Sequence, residues 1–419
     1  MTRCSARGAP DDGVARLFCI YRLQPKGHEW TISGDWIATP KATRQGKFMK
    51  IAFYNVTATS IHGGLETYCW EVGRALSRRG HQVDIVAGKR GAAWHQEVGL
   101  HQFAFRAEKE WPDLGVRFRR LSERLSFARS SLKHLVRTGY DAVIVNKPFD
   151  FPILWRARQR GLRAITLFRS GGADFFPGDR CFAGAVGHWV SSSNYNARQV
   201  HERYGRRVEV IHNGVDLDDF QPMEKDAAIR ATYGAGPDDL LLVSVGRLVG
   251  WKGTRIVLEA MAGLRSNIRC VVVGSGPEEP TLRALASSLG IGDRVHFAGH
   301  VDHADLPRLL AQCDIFVQPS VGEEAFGISV VEAMACGLPV LASNNGGLPE
   351  IVIEGETGSL LAPGNVSTWR DAIATLAANR HLMQERGAAG RIRVERHFSW
   401  AANAARHEAI LESGLCAAS

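Results

Sequence analysis

No uninterrupted apolar run in this chain approaches the ~18 residues that a transmembrane helix needs, so a helical membrane span is not expected. The short "LFCIY" near the start lacks the length and flanks of a secretory signal. Paired cysteines are missing too. The eight present (Cys4, Cys19, Cys69, Cys181, Cys270, Cys313, Cys336 and Cys416) are scattered without a CxxC. That pattern argues against a disulfide framework or a structural zinc site and fits a reducing, cytoplasmic setting. A third glycine is absent from "VVVGSGPE", where Glu279 stands in its place. The stretch therefore reads as a tight turn, and an NAD oxidoreductase is disfavoured. There is no short-period repeat, and no recognisable nucleic-acid module accompanies the basic residues.

What is present is ordinary for a soluble globular protein: 45% hydrophobic and 22% charged residues over 419 positions, enough for two or three domains with full cores. The net charge of +8 is unevenly spread, with +4 in residues 1–48, +9 in 49–220 and −5 in 221–419. A basic half joined to an acidic half implies that the first half meets something anionic.

Residues 1–48 show no sustained periodicity and read as an extension, or an upstream start, without a fold of their own. At "FMKIAFYNV" a pattern of strand, turn and helix begins. It runs through "VDIVAG", "DAVIVN", "RAITLF", "HWVSSS" and "EVIHNGVD". After an irregular stretch at 221–239 it restarts with "LLLVSVGRL", "RCVVVGSG", "VHFAGHV", "DIFVQPS" and "LPVLAS". Continuous apolar strands mean parallel sheets covered on both faces. The expected fold is α/β, with two doubly wound Rossmann-like domains, 49–220 and 221–396, facing across a cleft. Residues 397–419 read as a terminal helix.

Three stretches suggest chemistry. In "EEAFGISVVEAMACGLPV" the carboxylates Glu324 and Glu332 flank an apolar run, with seven residues between them. A strand ends before them, and a helix stopped by Gly337 and Pro339 follows. If the stretch is helical throughout, it spans about 12 Å, comparable to a sugar–diphosphate–ribose unit. The N–H groups of Phe326, Gly327 and Ile328 would then face the phosphates at a helix start. The plainer reading is a pair of surface glutamates beside a core helix. In "GRLVGWKG", Arg247 and Lys252 follow the first strand of the second domain at the ligand-binding edge of the sheet, where two fixed cations suit a diphosphate; otherwise they are a solvated loop. Gly63 and Gly64 follow the first strand of the first domain and let backbone approach a phosphate, or are simply a turn.

Taken in order, "IHGG", "VIHNGVD", "VGRLVGWKG", "VVVGSGPE", "DIFVQPS", "EEAFGISVVEAMACGLPVLAS", "NGGLPEIV", "GETGSLLAPG" and "FSW" resemble the retaining glycosyltransferases of family 4, which have the GT-B fold. The resemblance covers about residues 49–412. It implies that Glu332 binds the ribose and Glu324 the donor sugar, that Arg247 and Lys252 hold the diphosphate, and that Gly63 and Gly64 close over it. Asn213, Gly214 and Asp216 would belong to the interdomain segment. The segment after Gly299 would frame the base, and the last helix would pack back on the first domain. The implied activity is transfer of a hexose or related sugar from a UDP-, GDP- or ADP-sugar to a hydroxyl of a glycan or lipid-linked acceptor. Neither a cofactor nor a metal is expected. Family habit and the charge asymmetry point to bacterial lipopolysaccharide or surface polysaccharide synthesis. A sugar-nucleotide epimerase, a phosphorylase and a non-catalytic nucleotide-sugar-binding subunit are the rival readings.

Two features stand apart. Many relatives carry a histidine near the donor sugar where this chain reads "LFRSGGADFF", which puts Arg169 in its place. Arg169 could take that role, bind an anionic acceptor, or pair with a nearby acid. Residues 117–137 carry seven basic side chains, among them Arg119, Arg120 and Arg124, and one acid. Phe118, Leu121, Leu125, Ala128, Leu132 and Leu135 mark one apolar face of a helix. Such a helix suits peripheral docking on an anionic membrane; the alternative is a surface helix with its apolar face in the core.

Overall fold

A computed structural model of the chain describes residues 18–26, 29–37, 47–60 and 63–418. It falls into two units, 1–47 and 48–419. In the first, strands β1 (Phe18–Lys26) and β2 (Glu29–Ile37) pair antiparallel from Phe18↔Ile37 to Lys26↔Glu29. These strands are absent from the sequence expectation. The period-two spacing of Trp30, Ile32, Gly34 and Trp36 is the signal that announces β2. Residues 1–17, 27–28 and 38–46 of the extension lie outside the described residues.

The second unit holds two parallel sheets. The first is built from β3 (Lys50–Tyr54), β4 (Gln82–Gly88), β5 (Gly99–Phe103), β6 (Ala142–Val145), β7 (Ile165–Ser170), β8 (His188–Ser191) and β9 (Glu209–Val210). Their order is β5-β4-β3-β6-β7-β8-β9, with every neighbouring pair parallel. Helices α1 (Gly64–Arg78), α2 (Val116–Arg137), α3 (Phe151–Gln159) and α4 (Asn194–Tyr204) make the crossovers. Ile51, Ala52 and Phe53 of β3 and all four residues of β6 are fully buried, as strands covered on both faces must be.

The second sheet consists of β10 (Leu240–Val245), β11 (Ile268–Val273), β12 (Val295–Gly299), β13 (Ile315–Gln318), β14 (Val340–Ser343) and β15 (Gly358–Leu361). It is again parallel throughout, in the order β12-β11-β10-β13-β14-β15. Its helices are α5 (Ala227–Thr232), α6 (Thr254–Ala262), α7 (Glu279–Ser288), α8 (Leu306–Ala311), α9 (Ile328–Ala335), α10 (Val366–Ala378) and α11 (Arg380–His397). Strand order reverses between β3 and β6 in one sheet and between β10 and β13 in the other. Ligands of such sheets bind in the crevice beyond the strand ends at these reversals.

The last helix, α12 (Trp400–Ala418), returns to the first sheet. Its Trp400, Ala404 and Leu411 share a buried core with Met49, Phe53, Tyr68 and Trp70. Tyr68 Oη lies 2.8 Å from His407 Nε2, and Glu408 receives hydrogen bonds from Arg79 and His81. The crossing is tied where the Val215 N–H donates to Phe398 O at 3.1 Å. Among the described residues no helix is long and apolar enough to cross a membrane.

Candidate active site

The turn after β10 carries Arg247 and Lys252 and ends at Gly253, whose φ of +71° places it in the left-handed region. A Cβ there would lie 2.0 Å from Pro319 O. Only glycine therefore lets the loops that leave β10 and β13 meet. Their meeting brings Lys252 Nζ to 2.6 Å from Glu324 Oε1. The same oxygen accepts from Ser320 Oγ at 2.7 Å and Gln318 Nε2 at 3.0 Å. Glu324 is buried, and this arrangement supplies the partners a buried carboxylate requires. Its backbone is clamped as well: Glu324 O accepts from Gly347 N at 2.8 Å. A Cβ on Gly346, at φ +61°, would come within 2.1 Å of that oxygen.

Arg247 is exposed. Its guanidinium lies 5.9 Å from the Trp251 ring, and Lys252 Nζ lies 4.7 Å from the same ring. Among the described residues no carboxylate pairs with Arg247. The glycine turn of "VVVGSGPE" braces this loop, through Gly246 N to Val273 O and Leu248 N to Ser275 O, both at 3.0 Å.

The helix that follows Glu324 is shorter than its sequence suggests. Residues 324–327 are not helical, and α9 begins at Ile328, after Gly327 at φ +128°. Glu332 is the fifth residue of α9, so it stands just over one turn inside, not two. The 12 Å helical span does not apply. Glu332 is buried and bonds His303 Nε2 at 2.9 Å. Burial pulls the His303 pKa down, but its hydrogen bond to Glu332 and that carboxylate's charge outweigh burial and leave it raised. Phe326 is buried against His212 and Phe398, with ring centroids 5.7 and 5.8 Å away. Only its backbone can serve a ligand.

On the facing side α1 starts at Gly64, with Gly63 extended before it. A Cβ on Gly64 would lie 3.4 Å from Ile328 Cδ1. The first turns of α1 and α9 therefore meet, and both helices offer unpaired N–H groups and the positive ends of their dipoles there. Residues 61 and 62 lie outside the described residues. The two lobes are held together nearby. Glu350 accepts from the backbone N–H groups of Asn194 and Tyr195, both at 2.9 Å, and approaches His212 at 3.2 Å. Burial opposes ionisation of this carboxyl, yet these donors prevail and lower its pKa to about 2. Ser193 Oγ donates to Ala325 O at 2.5 Å. Neither Ser193, His303 nor Glu350 carries a sequence signal of its own, beyond the place of Glu350 in "NGGLPEIV".

Of the three roles open to Arg169, pairing with an acid is not met among the described residues. Its Nη2 donates to Asn213 Oδ1, and its guanidinium lies 4.1 Å from the Tyr68 ring. Asp216, in the same interdomain segment, pairs with Arg74. The helix at 117–137 has only part of its apolar face in the core. Ala128, Leu132 and Leu135 are buried in the first core, whereas Phe118 and Leu125 are 40% and 48% exposed, near Leu114 at 69% and Val116 at 47%. Arg124 faces inward to Asp150 at 3.1 Å, Arg120 pairs with Asp174 at 2.8 Å, and Arg119 is 3.3 Å from Asp113. The exposed cations of this helix are Arg117, Arg129, Lys133 and Arg137.

Two parallel sheets whose reversal points face one another, with two helix starts meeting between them, define the GT-B architecture. Two family profiles adjoin on the chain: Glycosyltransferase Family 4 over residues 62–219 and Glycosyl transferases group 1 over 225–393. The chain belongs to glycosyltransferase family 4. It is similar to the D-inositol 3-phosphate glycosyltransferase of Mycobacterium tuberculosis, with 40% identity over 223 residues, 50% of this chain and 45% of that one. The match thus spans less than half the length of that curated relative. Among solved structures, it resembles sucrose-phosphate synthase from Thermosynechococcus elongatus (TM-score 0.76, 24% identity, 88% of this chain and 100% of the other). It also resembles HepE of Anabaena in complex with UDP and glucose (TM-score 0.74, 22% identity, 87% and 100%). At such identities these likenesses speak for the fold.

Proposed function

We propose that the chain is a retaining glycosyltransferase that moves a hexosyl group from a nucleotide sugar, UDP-linked in the first instance, to an acceptor hydroxyl. The observation that carries this reading is the meeting of the Lys252–Glu324 pair with the facing starts of α1 and α9 at the strand reversal. In it Arg247, Lys252 and the N–H groups of Phe326, Gly327 and Ile328 receive the diphosphate, with Gly63 and Gly64 closing from the other lobe. Glu324 accepts from hydroxyls of the sugar, and Glu332 accepts from the ribose. The acceptor oxygen bonds to the anomeric carbon on the face the leaving group vacates. The bond from that carbon to the diphosphate breaks, and the acceptor proton passes to the departing phosphate oxygen. The protein's part is to stabilise the diphosphate charge as it develops; we assign no metal or cofactor to the reaction.

The UDP complexes of HepE support the choice of base. The likeness to WaaG, described as a glycosyltransferase involved in lipopolysaccharide biosynthesis, supports a role in surface glycan synthesis. A thermal-shift screen of UDP, GDP, ADP and their hexose conjugates tests the donor. At a hundredfold excess over Kd a ligand stabilises by ~2.7 kcal/mol, so one nucleotide should raise Tm by several degrees, and Glu332→Ala should abolish the rise. No shift with any of them would overturn the donor assignment.

The exposed apolar start of α2, beside Arg117 in the basic first half, supports docking on the cytoplasmic face of an anionic membrane. Sedimentation with phosphatidylglycerol vesicles should retain the wild type and release Val116→Asp/Phe118→Asp. Equal retention of both would rule this surface out.

A further inference from the structure

Three arginines are buried among the described residues. Arg124 pairs with Asp150 and Arg230 with Asp314, but Arg169, 1% exposed, has no carboxylate. An unpaired buried cation is costly even after the protein relaxes around it. The Tyr68 ring below it offsets part of that. Among the described residues the rest of its surroundings are neutral: Nη2 is held by the amide oxygen of Asn213, and Nε has no partner. Nε and Nη2 form the edge that a carboxylate or phosphate grips with two parallel hydrogen bonds. One half of that edge is unused and the other is occupied by an uncharged acceptor.

The position matters as much as the missing charge. Arg169 lies near the carboxyl end of β7, in the half of the fold that faces the crevice. A Cβ on Gly171 would stand 3.0 Å from Arg169 Nη1 and 2.4 Å from Leu65 Cδ2. Leu65 adjoins Gly64, which meets Ile328 of α9. The guanidinium thus lies against the first turns of α1, whose start meets that of α9 and presents the positive end of its dipole there. Asn213, its present partner, belongs to the segment between the lobes, so a small shift of that segment would free the whole edge.

Resting on the nucleotide-sugar reading of the cleft, we infer that Arg169 is the counter-ion for an oxyanion, a carboxylate or a phosphate ester, carried by the donor sugar or by the acceptor. The diphosphate itself is provided for by Arg247 and Lys252 on the opposite lobe. Arg169 adds a charge requirement on the transferred or receiving sugar, which a neutral hexose does not meet.

Titration calorimetry on the full chain separates the two sources. UDP-glucuronate is compared with UDP-glucose for the donor, and glucose 6-phosphate with glucose, at saturating UDP, for the acceptor. The expected result is a preference of tenfold or more for the anionic member on one arm. Arg169→Gln should remove it while leaving the Kd for UDP itself within about twofold. Should Arg169→Gln fold poorly, Arg169→Lys, which keeps the charge, should retain part of the preference. Equal binding within both pairs by the wild type overturns the inference without any variant. A preference that survives Arg169→Gln, or a variant that loses only Tm, overturns it as well. A wild type that fails to bind UDP, which carries no group for Arg169, overturns the underlying donor reading and this inference with it.

Discussion

Lys252→Ala is expected to lower turnover about 10²- to 10³-fold, or ~3 kcal/mol in the barrier, as loss of a fixed donor to a developing oxyanion does elsewhere. The cause is local. Lys252 Nζ is held 2.6 Å from Glu324 Oε1 by a glycine-dependent meeting of two loops, so its charge needs no rearrangement when the diphosphate departs. The substitution also removes the only charged partner of Glu324 among the described residues, leaving that buried carboxylate to Ser320 and Gln318. Steady-state rates should therefore show kcat and kcat/KM falling together, the sign of an interaction made in the transition state. Arg247→Ala should act in the same sense. Near-normal turnover in either variant would remove that residue from the mechanism.

Arg124→Ala is expected to destabilise the first domain by about 3–5 kcal/mol, the usual consequence of leaving one member of a buried ion pair behind. Arg124 is 5% and Asp150 1% exposed, with Nη1 at 3.1 and 3.2 Å from the two carboxylate oxygens. Asp150 sits where β6 passes into α3. Urea unfolding should show the loss, and Arg124→Met combined with Asp150→Leu should recover much of it, because no bare charge is left in the interior. A loss under ~1 kcal/mol in the single variant would show that water reaches the pair.

Both substitutions concern residues that a linear reading treats very differently. Lys252 stands out in "GRLVGWKG" because it follows an apolar strand at a glycine-rich turn. Arg124 is one of seven basic residues on a helix, and only the fold turns it inward to Asp150. The interior strands were legible for the same reason: burial on both faces leaves continuous apolar runs in β3, β6, β10 and β13. The edge strands β5, "GLHQF", and β15, "GSLL", are half solvated and carry no such run. The start of α9 departs from the sequence expectation because Gly327 and the Gly346–Gly347 clamp, the latter distant in sequence, impose a non-helical entry on residues that would otherwise suit a helix. His303 and Glu350 act only through partners 29 residues or more away. Arg169 was visible as an anomaly, but its lack of a counter-charge emerges only once Tyr68 and Asn213 are seen around it.

The central claim is that one cleft holds a nucleotide sugar with its diphosphate at Arg247 and Lys252 and its ribose at Glu332. A crystal structure of the full chain soaked with UDP tests this most directly. The account predicts phosphate oxygens within hydrogen-bond distance of Lys252 Nζ and of the N–H groups at the start of α9, with the ribose hydroxyls on Glu332. Nucleotide density at any other place, with Glu332 still bonded only to His303, would contradict it.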